Sequence, residues 1–136
     1  MTRYAIAIAG LLLVTALQNA AQAQQAPAAP LQTIKRTPLQ KFDVPGTSYE
    51  TVIALAEVVP SASIGLHTHS GPESGYVLEG EMVLVVQGQP DKLVKAGESY
   101  LVPAGAVHDG KSGPRGAKVI ATYIVEKGKP LASPAP

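Results

Sequence analysis

Three histidines and one glutamate form the reactive constellation of this chain. His67 and His69 stand two positions apart, Glu73 follows after a Ser70-Gly71-Pro72 turn, and His108 lies in a separate segment. On an extended strand, alternate side chains share a face. His67 and His69 therefore point the same way, together with Gly65, whose missing side chain leaves room beside them. The turn lets Glu73 fold back toward that face. Imidazoles plus a carboxylate form a mixed nitrogen and oxygen donor set suited to a divalent first-row metal, and Fe, Mn, Ni, Cu, Co and Zn all accept it. A single histidine is more often a surface or satisfied core residue; the conjunction of all three with a carboxylate argues for ligation. Glu73 keeps other readings. It could cap the turn and leave three histidines and water on the metal, or swing free as a general base. No histidine is left to serve a Ser/His/Asp arrangement. Asp109, next to His108, points to the opposite face and reads as a surface or supporting group.

Short, β-branched segments bounded by Gly or Pro must position these residues, and no helical period competes with them. Thr51–Val59, Ile64–His69, Tyr76–Leu78, Met82–Val86, Lys92–Val94, Ser99–Val102, Ala106–Asp109 and Ala117–Val125 read as strands. Glu79-Gly80-Glu81 looks like a tight hairpin, and Lys111–Gly116 like a polar loop. Thr33–Phe42 could add an edge strand, in cis or to a neighbour. Met82 to Val86 is apolar on both faces, as in a strand buried on both sides, one side against a partner subunit. Eight or nine short strands suit an all-β jelly roll or related barrel.

The spacings resemble those of the cupins. The first cupin motif runs from a glycine through His-x-His and a glutamate to a second glycine; here His67, His69, Glu73 and Gly80 match it, with Ser61 at the opening position. The second motif is met by Gly97, Pro103, Gly105 and His108, with Ser112 where the family has asparagine. The resemblance covers roughly residues 45–125 and includes every histidine. It implies a cupin-type jelly-roll β-barrel with a metal held inside by His67, His69, Glu73 and His108, although the family's glutamate is sometimes not bound. The two departures lie outside these four positions: Ser61 alters a turn, and Ser112 offers a hydroxyl where asparagine would anchor a loop. Homodimers are common in the family, so a homodimer is expected by analogy.

The ends read differently from the middle. One cation, Arg3, precedes an apolar run from Ala5 to Leu17, and Ala21-Gln22-Ala23 is a small-x-small site. Thirteen apolar residues are too few to span a bilayer. The pattern is that of a secretory signal peptide, residues 1–23, cleaved after Ala23. It predicts a periplasmic or secreted protein with no membrane anchor after cleavage. Residues 24–32 read as a disordered leader, 33–127 as the barrel and 128–136 as a disordered tail.

Composition narrows the partners. Eleven basic against ten acidic side chains leave a net charge of +1, with no footprint for nucleic acid. The absence of cysteine excludes a disulfide scaffold and thiolate ligands. No glycine-rich phosphate cradle is present. The chain has one Phe and no Trp, so stacking on sugars or large flat ligands is disfavoured. A small-molecule ligand or substrate remains. The expected function is metal-dependent dioxygenation or oxidation of a small organic molecule. The alternatives are isomerisation through an enediol and non-catalytic binding of a metal or small ligand.

Overall fold

The structure is a computed structural model, and it describes residues 32–135. The signal-peptide segment 1–23 and leader residues 24–31 lie outside the described residues. Eight strands form one curled antiparallel sheet: β1 (Ile34–Asp43), β2 (Tyr49–Val58), β3 (His67–Thr68), β4 (Glu73–Val86), β5 (Lys92–Lys95), β6 (Ser99–Val102), β7 (His108–Glu126) and β8 (Ser133–Pro134). There is no helix among the described residues. The architecture is the all-β jelly-roll barrel that the strand pattern predicts. The path runs β1-β2-β7-β3-β8, with β4 pairing β5, β6 and β7. The segment read as a possible edge strand is β1, and it pairs in cis with β2.

The core follows from period-two patterning. In the second half of β7, Ala117, Val119, Ala121, Tyr123 and Val125 are buried and alternate with half-buried neighbours. Ala54, Ala56 and Val58 of β2 face the same interior. Val77, Val94 and Val102 from β4, β5 and β6 complete the centre. Each such fully buried valine contributes ~1.5–3 kcal/mol through apolar area removed from water.

Three local expectations are corrected. Glu79-Gly80-Glu81 is not a hairpin, because β4 runs straight on through 14 residues. Its pairing with β7 slips twice, between Val77 and Glu79 and between Gly80 and Met82, which marks β-bulges. Residues 111–116 are not a loop but the middle of β7. Gly80 and Gly116 both have positive φ, and a Cβ on Gly80 would lie 2.1 Å from the Gly116 carbonyl oxygen. Glycine at both positions lets the two longest strands turn a corner together while still paired, and a turn and a corner use the same residue types. Finally, the supposed structureless tail contains β8, which pairs with β3, and Leu131 packs on the core.

The corner positions the site. Laid flat, β4 would separate Glu73 from Val86 by roughly 45 Å. Val86 pairs with His108, yet the His108 ring nitrogen is 3.3 Å from the Glu73 carboxylate. The curl closes the sheet's ends on one another.

Candidate metal centre

His67 on β3, His69 just after it, Glu73 at the start of β4 and His108 at the start of β7 converge inside the barrel. All four are buried, and their candidate ligand atoms lie within 4.8 Å of one another. His67 pairs with His108 across β3 and β7, and their ring centroids are 4.2 Å apart.

Each imidazole is held from behind. The Nδ1–H of His67 donates to the Gly65 carbonyl at 2.7 Å, that of His69 to Leu131 at 2.5 Å, and that of His108 to Ala106 at 2.9 Å. A carbonyl oxygen only accepts, so Nδ1 carries the proton in every ring. The neutral ring then offers a bare Nε2 lone pair. Such backbone acceptors are the partners that orient metal-bound histidines and raise their basicity.

The acceptors are fixed in turn. Asp109 is buried and receives hydrogen bonds from the Ser63 hydroxyl at 2.5 Å and the Gly65 N–H at 3.0 Å. It steadies the carbonyl that holds His67, which is the supporting role expected of it. Gly65 has a positive φ, so its value is conformational rather than spatial. The Pro103-Ala104-Gly105 turn docks on His69, whose carbonyl accepts the Gly105 N–H at 3.0 Å. Ser112 donates to Val59 O at 2.6 Å and accepts the Ala62 N–H at 3.1 Å, so its hydroxyl anchors the loop before His67. Ser61 sits at φ 53°, the left-handed backbone that explains why a glycine suits the motif's opening.

Glu73 is oriented by Tyr100, whose hydroxyl donates to Oε1 at 2.7 Å. Gly75 makes this possible: a Cβ there would lie 2.3 Å from the Tyr100 ring. The other carboxylate oxygen, Oε2, is 2.9 Å from His69 Nε2 and 3.3 Å from His108 Nε2. Burial alone would raise the Glu73 pKa, but its contacts with His108, His69 and Tyr100 outweigh burial and hold it well below the usual carboxylate range. Burial would also lower His108, but the bond to Glu73 pushes it up instead. Burial lowers His67, aided by the neighbouring His108 and His69. Burial and the Glu73 charge push Tyr100 well up and Tyr123 to about 12. Both phenols therefore stay protonated in the metal-free protein.

One atom tests whether a cation fits. Among the described residues, His69 Nε2 is the one buried side-chain nitrogen or oxygen without a hydrogen-bond partner. A Glu73 carboxylate oxygen lies 2.9 Å from it, and when His69 is neutral its bare Nε2 faces that oxygen. Two electron pairs facing each other in a buried site call for a shared cation. Three imidazole nitrogens and a carboxylate oxygen supply the donor set for it.

A cavity of about 20 Å³ opens beside the cluster, lined by His67, Glu73, His108, Tyr100, Tyr123 and Arg36 among others. That is room for about one water. Tyr100, Tyr123 and Arg36 are additions to the site that sequence reading did not place. Tyrosine in a short strand looks the same whether it faces core or pocket, and the register of β1 alone carries Arg36 inward.

The Cupin domain family matches residues 54–128, a stretch that holds all four clustered side chains. The chain belongs to the cupin family. This cupin is 30% identical over 69 residues to dimethylsulfoniopropionate lyase DddW of Ruegeria pomeroyi, a match covering 51% of this chain and 45% of that protein. The chain thus spans less than half the length of this curated relative. Among solved structures, the DMSP lyase DddQ from Ruegeria pomeroyi superposes with a TM-score of 0.65 at 14% identity, covering 84% of this cupin and 57% of that chain. A recombinant oxalate oxidase in complex with glycolate gives a TM-score of 0.60 at 22% identity, covering 79% and 57%. These two likenesses establish the shared fold.

Proposed function

We propose that this cupin is a metal-dependent enzyme acting on a small organic substrate outside the cytoplasm. The observation that carries the reading is the convergence of three pinned imidazoles and one carboxylate on the orphaned His69 nitrogen, beside a cavity. His67, His69 and His108 would hold a divalent first-row metal through Nε2, and Glu73 through Oε2. A bound metal would supply Lewis acidity and, if redox-active, one-electron chemistry with dioxygen. The protein's part is to orient and to exclude. The three carbonyls fix the rings, Tyr100 fixes the carboxylate, and Ile34, Ile64 and Met82 add apolar walls to the cavity. Among the described residues that line the cavity, Glu73 is held by Tyr100 and Tyr123 by Arg36, so none of the three stands free as a base. This favours dioxygenation or oxidation over proton abstraction.

The similarity to a dimethylsulfoniopropionate lyase supports a second reading, elimination without dioxygen. The apolar run after Arg3 and the Ala21-Gln22-Ala23 site support export and cleavage after Ala23. Tyr76, Leu78 and Leu101 expose apolar surface on adjoining β4 and β6, which supports a homodimer.

The test begins with the metal content of protein recovered from the periplasm without chelator or nickel resin, beside the H67A/H69A double variant. About one equivalent of Fe, Mn, Cu, Ni or Co, lost in the variant, is expected. Oxygen uptake with small organic substrates then supports oxidation. Anaerobic consumption of dimethylsulfoniopropionate supports the lyase reading. Stoichiometric zinc without turnover would point to isomerase or non-catalytic roles, and no metal in either protein would overturn the proposal. A mature N-terminus at Gln24 is expected.

A further inference from the structure

Arg36 stands out once the cations are sorted by partner. Lys35, Lys41, Lys118, Lys127 and Lys129 each pair with a carboxylate. Lys92, Lys95, Lys111 and Arg115 are exposed to water. Among the described residues, Arg36 is the partly buried cation that has no acidic partner. Its one side-chain hydrogen bond runs from Nε to the Tyr123 hydroxyl at 3.4 Å. A half-desolvated guanidinium without a counter-ion is unfavourable unless something supplies one.

Its position says where that partner comes from. Arg36 lines the small cavity beside the histidines, and it also lines an open recess of about 370 Å³ bounded by Ile64, Leu66, His67, Ala132 and Pro134. Arg36 and His67 border both spaces. A molecule in the recess meets Arg36 and His67 between mostly apolar walls. A planar fork of N–H donors matches a carboxylate in two parallel hydrogen bonds. The apolar walls suit a short carbon skeleton rather than a sugar or a phosphate ester.

We propose that Arg36 anchors the carboxylate of a small organic acid, so that the substrate class of this site is a short carboxylic acid presented to the histidine cluster through the recess. The inference rests on the metal-enzyme reading for its meaning in turnover, but the anchor itself is measurable without turnover. Tyr123 is a positioning residue, since its hydroxyl holds the Arg36 Nε–H.

The experiment is a propionate titration followed by the Arg36 Nε–H resonance and by calorimetry, on zinc-loaded and metal-free protein, with propionamide as the neutral control. Direct zinc titration is run on every variant. Expected are binding of propionate with a shift of the Arg36 signal, no response to propionamide, and at least about tenfold weaker propionate binding in R36Q, the loss of one charge-assisted interaction. R36K should retain an intermediate affinity, because lysine keeps the charge but not the fork. Zinc should still bind R36Q and R36K, which shows that the histidine cluster stays assembled in both. Equal propionate binding by R36Q and wild type overturns the anchor, as does propionamide binding as tightly as propionate. Absence of propionate binding to either form at tens of millimolar overturns it too. Failure of the wild type to bind zinc defeats the metal reading separately, and the metal-free titration then decides Arg36 alone. R36K, which retains the positive charge, guards against a folding defect in R36Q.

Discussion

Two concave regions of this barrel contrast in size and in chemistry. The larger is an open recess of about 640 Å³ lined by Lys35, Glu57, Glu79, Arg115 and Lys118. Its charges are exposed and mostly satisfied: Lys118 lies 3.0 Å from Glu79 and Lys35 4.0 Å from Glu57. The smaller holds about 20 Å³ beside three histidines and a glutamate, all buried, with one buried nitrogen, His69 Nε2, unpartnered. Exposed ion pairs contribute ~0–1 kcal/mol and are screened by salt. Buried ionisable groups persist only when paired, hydrogen-bonded or coordinated. The contrast teaches that chemistry follows convergence and desolvation rather than volume.

The sharpest way to break the contrast is to remove the ligands. H67A/H69A should lower metal affinity by well over ~100-fold, beyond the cost of losing an outer hydrogen-bond partner; isothermal titration with Mn²⁺ or Co²⁺ measures it. Wild-type affinity in that variant would reduce the inner cavity to mere packing. Deletion of residues 131–136 takes away the carbonyl that holds His69. Metal affinity should then fall ~10–100-fold while a circular-dichroism spectrum stays that of an all-β protein. Tyr100→Phe leaves one oxygen of buried Glu73 without its donor. It should destabilise the metal-free protein by ~1–3 kcal/mol in urea unfolding.

Acidity sharpens the same comparison. In the metal-free protein His108 binds its proton more tightly than an ordinary histidine, because Glu73 faces it. A metal must displace that proton. Metal affinity should therefore rise with pH through neutrality and level off only above the raised His108 value, as pH-dependent titration will report. Glu73 has the opposite sign. Its depressed pKa contributes stability that is present above the unfolded carboxylate value, ~4.3, and lost as pH falls toward the folded one. The smallest effect belongs to the large recess: Lys118→Ala should change stability by less than ~1 kcal/mol and leave metal binding untouched. A larger change in metal binding would mean that the two regions communicate.

Much of the candidate site was legible because its information is local. His-x-His in extended chain shares a face by backbone geometry, even though the strand expected over Ile64–His69 is shortened to His67–Thr68, and a turn of Ser-Gly-Pro brings a carboxylate back after it. Ser112 was readable as a hydroxyl in an anchoring position, and the structure gives it that bond to Val59. The corner glycines were less legible. Gly80 between two glutamates has the composition of a hairpin, and only pairing with β7 on both sides of it reveals a bent continuous strand. Arg36 and Tyr123 meet across 87 residues of chain, a proximity that no local pattern encodes.

The strand-rich class, the period-two core, the donor types and their cupin-like spacing are written in local sequence, because residue type and short-range spacing act through φ/ψ preference and alternation. Tertiary structure alone decided what surrounds those donors. It set the curl that brings Glu73 to His108, and the backbone carbonyl of Leu131 that turns His69. It also set the contacts with His108, His69 and Tyr100 that hold Glu73 ionised against its burial, and the recess that Arg36 and His67 both line. These depend on long-range pairing and on main-chain groups common to every residue. Desolvation adds to them, and it exists only once the barrel has closed.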